Sequence, residues 1–405
     1  MAFTTAQLTE YTKRVYGNIR SQLSDQNVAY KAFTKKADMK HFNGTVLYDA
    51  AEYGRHTGLG ARAEGGALPT AGKRSAAQFS VTLKNLYGRT NFTGQVFEQM
   101  NTDVAAFGQT VAHQIETLRT DFLRDFNRQI WGRGSGALAL TNGAGVGTAT
   151  LVLDTPFVGF EATQYLYPGS RIDIYTAESG GSIVVDSATV LTNDSPTQVT
   201  LTATNTWGDN QFVFLEDNRG NELTGLQAAI DDGTVKDNYF GIVRSTNSYW
   251  KSRVTAVNAA ATEAVVLNAI TAISKQEVPD CLMTSQDILN AIAKTQLSQK
   301  RYNLELGGKV GAVPAGYVGL NINNIMVYGD QDCPYNPTTN SGIMVGFKGS
   351  NMHLLSTSDP KFMERDGSMY HRLANEDGYE VTLFQYAELV NTRSNASFKL
   401  TGLQA

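Results

Sequence analysis

The sequence predicts an α+β fold in which one long helix forms the spine of a mixed sheet and a small β-barrel or β-sandwich is inserted behind it. Three observations carry this expectation. Val104, Phe107, Val111, Ile115, Leu118, Phe122, Phe126 and Ile130 recur at spacings of three or four, the period of one apolar helix face, sustained well past the ~11 residues of an average helix. Next come TATLVLD, SRIDIYTA, SIVVDSATVL, TQVTLTAT and NQFVFLED, short runs separated by turn sequences such as YPGS, ESGGS and NDSPT, as in a small all-β unit. Towards the end IMVYG, GIMVGF, YEVTLFQYAELV and ASFKLTGL return the chain to strands, so the two element types are segregated along the sequence.

The 405 residues, 41% hydrophobic and 18% charged, suffice for one large core or two to three ordinary ones. A net charge of −4 and the lack of a long basic run weigh against sequence-specific DNA binding as the main task. MAFTTAQLTEYTKRVYG lacks the apolar segment of a signal peptide, and no stretch reaches the ~18 apolar residues of a membrane span. The expectation is synthesis and folding in the cytoplasm, without a membrane partner. Cys281 and Cys333 stand alone, with no further Cys or His at ligand spacing, so both are expected to be packing residues.

In chain order, Leu8, Tyr11, Val15, Ile19 and Leu23 place an amphipathic helix over residues 5 to 23, and its apolar face needs a partner surface. From Gly44 to Gly94 the pattern is extended, with six glycines between Gly54 and Gly72. Between Gly54 and Ser75, Arg55, Arg62, Lys73 and Arg74 stand against Glu64, a balance of +3. Such a hairpin is marginal without a supporting surface. About ten residues of it would reach ~33 Å, beyond the ~22 Å radius of gyration of a compact chain this long, so it is expected to lie across a neighbouring molecule. The long helix then runs from a cap near Asn101 to a stop at Gly132; His113 and Glu116, three residues apart on it, read as a solvated face. Beyond the β unit, TGLQAAIDDG is a short helix ending at Gly233, and ATEAVVLNAITAISK sets Val266, Ile270 and Ile273 on one face behind a Thr262 cap. CLMTSQDILNAIAKTQLSQKRY follows as a strand, a cap at Thr284 or Ser285, and a helix with Ile288 and Ile292 one turn apart.

Searches for chemistry return little. GGALPTAGKRS has five residues between Gly66 and Gly72, Arg74 where Ser or Thr should reach magnesium, and a strand pattern after it, so it is not a phosphate-binding loop. Hydrolase, metalloprotease, calcium-loop and dinucleotide motifs are missing from the sequence. Asp231 with Asp232 and Asp330 with Asp332 sit beside Gly or Pro, where aspartates bond turn amides. The five histidines are scattered. No catalytic, metal or cofactor-binding residue is expected, and the chain is read as no enzyme, with no cofactor. Tyr239, Phe240, Tyr249 and Trp250 suit an interface or a core equally.

The order of these parts resembles the major capsid protein of tailed double-stranded DNA bacteriophages. ARAEGGALPTAG followed by AQFSVTLKNLYGRTNFTGQVFEQ is similar to that family's extended loop and return strand, and DVAAFGQTVAHQIETLRTDFLRDFNRQIWG to its spine helix. NYFGIVRSTNSYWKSRV resembles a peripheral-domain segment, CLMTSQDILNAIAKTQLSQKRY the axial domain, and INNIMVYGDQDCPYNP the strand returning from it. The resemblance implies an N-terminal arm at 1–43, an extended loop hairpin at 44–94, a peripheral domain with the spine helix at 95–136, a β insertion domain at 137–217, more peripheral domain at 218–279, an axial domain at 280–330, and axial and peripheral returning strands at 331–405. It implies an icosahedral shell of hexamers and pentamers in a virion, built in the host cytoplasm. Its partners would be copies of itself, a scaffolding protein, a portal, a decoration protein, and packaged DNA touched nonspecifically.

Inter-subunit contacts would then come from Arg55, Arg62, Glu64, Leu68, Lys73 and Arg74 of the loop and from Leu8, Tyr11, Val15 and Ile19 of the arm. Many family members begin with a helical scaffolding segment that a protease removes; this chain starts at the arm, so a separate scaffolding protein is expected. One branch welds subunits through a loop lysine and a peripheral-domain asparagine. Lys73 matches the first and no asparagine motif the second, leaving Lys73 as a solvated charge. Alternatives from the sequence are an encapsulin-like compartment shell, an adhesive or carbohydrate-binding protein using the β unit, and an enzyme with dispersed residues. The β unit, an insertion that would crowd packaged DNA if it faced inward, is expected to point outward.

Overall fold

The computed structural model describes residues 27–35, 40–41, 46–95, 104–154, 162–297, 320–364 and 367–405. Leu8, Tyr11, Val15 and Ile19, the contacts expected of the arm, lie outside them. The apolar period becomes the helix Val104–Ile130, whose C-terminal half buries Phe122, Phe126 and Ile130, each side chain contributing ~1.5–3 kcal/mol by leaving water. It packs on a sheet whose longest strand, Gly378–Asn391, pairs antiparallel with Lys84–Thr93 over ten residues and with Met352–Ser356 over five. The return strand of the hairpin is thus zipped to the far end of the sequence.

A second sheet runs in the order Arg253–Ala260, Phe398–Gln404, Ser341–Phe347, Cys281–Ser285, Ile325–Asp330, Leu320–Ile322. Gly346 lies beneath the Phe398 ring, which a Cβ at that position would overlap. The helices Glu263–Ile273 and Gln286–Leu297 cover this sheet, burying Val266, Ile270, Ile273, Ile288 and Ile292 as their spacing requires. Thr262 occupies the first helix's N-cap position, but its side chain makes no capping bond. In the second, Ser285 Oγ accepts the Ile288 amide at 3.4 Å, while the Thr284 hydroxyl donates to the Ile343 carbonyl at 2.8 Å. Cys281 and Cys333 are buried thiols.

Residues 137–215 make a third sheet with a core of its own, in the order Ala137–Leu140, Phe212–Leu215, Arg171–Tyr175, Ile183–Ser195, Gln198–Trp207, Gly145–Val152. Its first and last strands meet at an antiparallel bridge between Thr141 and Leu153. The Asn142 amide reaches the Val152 carbonyl at 2.9 Å, and the Asp154 amide the Leu140 carbonyl at 2.8 Å. These contacts close the sheet into a six-stranded barrel at that end.

Candidate assembly surface

Alternation in AQFSVTL sets one face of the hairpin inward. Val46–Glu52 and Ala76–Thr82 pair from Val46↔Thr82 to Glu52↔Ala76, with Phe79 and Val81 buried. The Phe79 ring centroid lies 5.2 Å from that of Trp250, the Ser80 amide donates to the Phe240 carbonyl at 3.1 Å, and Tyr53 stacks on Tyr249 at 4.0 Å. Three of the four aromatics that the sequence left between interface and core thus receive the hairpin: Phe240, Tyr249 and Trp250. The fourth, Tyr239, supports them, since its carbonyl accepts the Trp250 indole N–H at 3.2 Å and its hydroxyl the Asn391 amide at 2.9 Å.

Beneath this platform lies a buried ionic cage. Arg244, with no exposure, stacks 4.2 Å over the Tyr239 ring and donates to the carbonyls of Ala228 (2.6 Å), Ala229 (2.9 Å) and Trp250 (3.2 Å). Asp231 Oδ2 accepts the amides of Gly233, Val235 and Lys236 at 2.9 to 3.1 Å, and its Oδ1 accepts Lys399 Nζ at 3.1 Å. Burial pushes the Asp231 carboxyl up, but the Lys399 charge and the turn amides hold it below its ordinary value. Burial lowers both Lys399 and Arg244. Charges taken from water need such complete pairing. Asp231 bonds turn amides as its sequence context indicates. Its cationic partners had no sequence signal, because Arg244 and Lys399 lie 13 and 168 residues away.

Beyond the platform the chain leaves regular structure. Pairing covers seven residues per strand, and residues 53–75 form no strand. Glycine brings no side chain to cross-strand contacts and loses the most entropy on ordering. Local bonds shape this loop: the Tyr53 amide to the Ser75 carbonyl at 3.0 Å, Gly66 to Ala63 at 2.9 Å, and Arg62 Nε to the Ala67 carbonyl at 2.9 Å. Arg55, Arg62, Glu64, Leu68, Lys73 and Arg74 are all exposed, and Arg74 pairs with Glu52 of its own hairpin. Leu59 and Leu68 are 78% and 88% exposed. With Tyr48 and Tyr53, they give residues 46–82 four exposed large apolar side chains, a concentration that marks an interaction surface.

A cleft of about 770 Å³ opens between the strand Lys84–Thr93, the long helix and the turn after the barrel. Asp121, Asp125, Asp217 and Glu222 line it, with Lys84 as the cation. Three of these acids are paired within the subunit, Asp121 to Arg124 and both Asp125 and Glu222 to Arg128.

No protein-family model matches the chain, and no curated protein matches its sequence. Solved structures do match its fold. The capsid asymmetric unit of cyanophage A-1(L) superposes with a TM-score of 0.57 at 13% identity, over 96% of this chain and 98% of that one. The capsid of a native GTA particle does so with a TM-score of 0.52 at 10% identity, over 96% and 93%, and that of the empty GTA particle gives the same values. The fold is the tailed-phage capsid fold, with a six-stranded barrel inserted between its long helix and its second sheet.

Proposed function

We propose that the chain is the major capsid protein of a tailed phage, assembling through hexamers and pentamers into an icosahedral shell around double-stranded DNA. The observation that carries this reading is the loop 53–75: basic, exposed, bearing two leucines at 78% and 88% exposure, and cantilevered from a rigid aromatic root. A lone subunit gains nothing by holding it in water. A shell of repeating heterologous contacts uses such an arm on the next copy. Individual exposed ion pairs contribute only ~0–1 kcal/mol, so cohesion comes from many contacts summed, the leucines included.

On this reading the arm is 1–43, the extended loop 44–94, the peripheral domain 95–136 and 218–279, the insertion domain 137–217, the axial domain 280–330, and axial and peripheral returning strands 331–405. Arg55, Arg62, Glu64, Leu68, Lys73 and Arg74 touch the next subunit, and Leu8, Tyr11, Val15 and Ile19 do so from the arm. A scaffolding protein guides assembly, and a portal and a decoration protein join the shell, with DNA held nonspecifically inside. No chemistry is required. Deleting Gly65 to Ser75 should leave a folded subunit that assembles poorly; normal closed shells from that deletion would sink the proposal.

A further inference from the structure

Asp330 ends the strand Ile325–Asp330, Asp332 follows two residues later, and both are buried. Four parts of the chain meet at this pair. From the helix Val28–Lys35, the Ala29 amide donates to Asp330 Oδ2 at 2.6 Å. From the long helix, one nitrogen, Asn127 Nδ2, serves both carboxyls, at 2.5 Å from Asp332 Oδ2 and 3.1 Å from Asp330 Oδ1, while Asn127 Oδ1 accepts the Tyr30 amide at 3.0 Å. From the barrel's 162–166 turn, the Tyr165 hydroxyl donates to Asp332 Oδ1 at 3.2 Å.

Among the described residues the cation acting on the pair is Arg128, and it is shared. Arg128 lowers Asp332 but is itself bonded to Glu222 at 2.6 Å and Asp125 at 2.8 Å. The Trp131 indole faces Asp330 without completing a hydrogen bond. Burial first, and then the charges of the acids, raise Cys333, Tyr165 and Tyr167, and burial followed by the Asp359 charge raises Tyr30, with Arg119 opposing. A cavity of about 520 Å³, bordered by Arg124, Asp121 and Tyr167, opens onto Asp332 and gives water a path to it. Two buried carboxyls sharing one donor cannot both ionise cheaply.

We propose that Asp330 and Asp332 share one proton in mild acid and so form a latch seating the inserted barrel on the long helix. With the proton in place, only one anion faces the shared Asn127 donor. When it leaves to water in the cavity, two anions face each other across Asn127; Asp332 relieves the repulsion by turning towards the cavity, releasing the Tyr165 hydroxyl. Burial first, and the neighbouring Asp330 charge next among the raising influences, push Asp332 up to about 6, and burial raises Asp330 too. Because both carboxyls are raised above the ordinary range, the closed junction favours the neutral form. Its stabilisation is complete below ~4 and is lost as pH rises through the folded value. The latch stands independently of the shell reading.

The test is hydrogen exchange with mass spectrometry on the unassembled full chain, following peptides over 162–170 and 28–35. After correction for intrinsic rates, opening at both should rise about tenfold from pH 5 to pH 7. Asp332→Asn, which keeps a neutral donor facing Asp330, should flatten both profiles. Tyr165→Phe should flatten the barrel peptide alone. A flat wild type, or parallel slopes in wild type and Asp332→Asn, would overturn the latch. Should Asp332→Asn fail to fold, infrared titration of the wild type decides: a buried carboxylic-acid band present at pH 5 and lost by pH 8 is expected, and no such band refutes the shared proton.

Discussion

Phe79→Ala and Leu68→Ser separate the root of the hairpin from its loop. Phe79 is 2% exposed and its ring lies 5.2 Å from that of Trp250; truncating such a residue costs ~3–5 kcal/mol through lost burial and the cavity left behind. Leu68 is 88% exposed, so its replacement should change subunit stability by no more than ~0.5 kcal/mol. Urea unfolding of the unassembled subunit, followed by fluorescence and circular dichroism, measures both. Assembly should rank them oppositely. If each loop leucine is covered by a neighbour, each contact is worth ~1.5–3 kcal/mol, and Leu68→Ser should raise the concentration needed for assembly more than tenfold. Equal losses of stability in the two variants would refute the division between anchor and contact surface.

Asp231→Asn should destabilise the subunit by ~3–5 kcal/mol in thermal unfolding, because it leaves Lys399 and Arg244 buried without a counter-charge; adding Lys399→Met should recover part of the loss. Glu388 is buried, accepts the Thr224 amide at 2.7 Å, and is raised by burial to about 7. Its neutral form is thus favoured on folding, and wild-type stability should fall by up to ~3 kcal/mol as pH rises from ~4.3 to above 7, whereas Glu388→Gln should lose that contribution to the pH dependence. Gly225→Ala should be destabilising by melting temperature, since its Cβ would stand 2.5 Å from both the Gln129 carbonyl oxygen and the Gly132 amide nitrogen.

What the sequence revealed was periodic and local. The heptad-like spacing from Val104 to Ile130 became one helix, and the alternation around Phe79 became a strand with that residue inward. Features closed over long separations stayed hidden. Barrel and sandwich share the same short strands, and only the Thr141–Leu153 bridge decides between them. The partner of Lys84–Thr93 is a strand some 290 residues away. Arg244, Lys399 and Glu388 belong to residue types normally found on surfaces, and nothing near them in sequence announced that they would be buried. For the assembly surface, glycine content and charge marked the loop, but its seat on Phe240, Tyr249 and Trp250 required the fold.

The most direct measurement is negative-stain microscopy with mass photometry on the chain expressed alone and with its neighbouring genes. Closed icosahedral shells, or hexamers and pentamers that close when a scaffolding protein is supplied, are the expected result. A stable monomer that assembles under neither condition would contradict the capsid function.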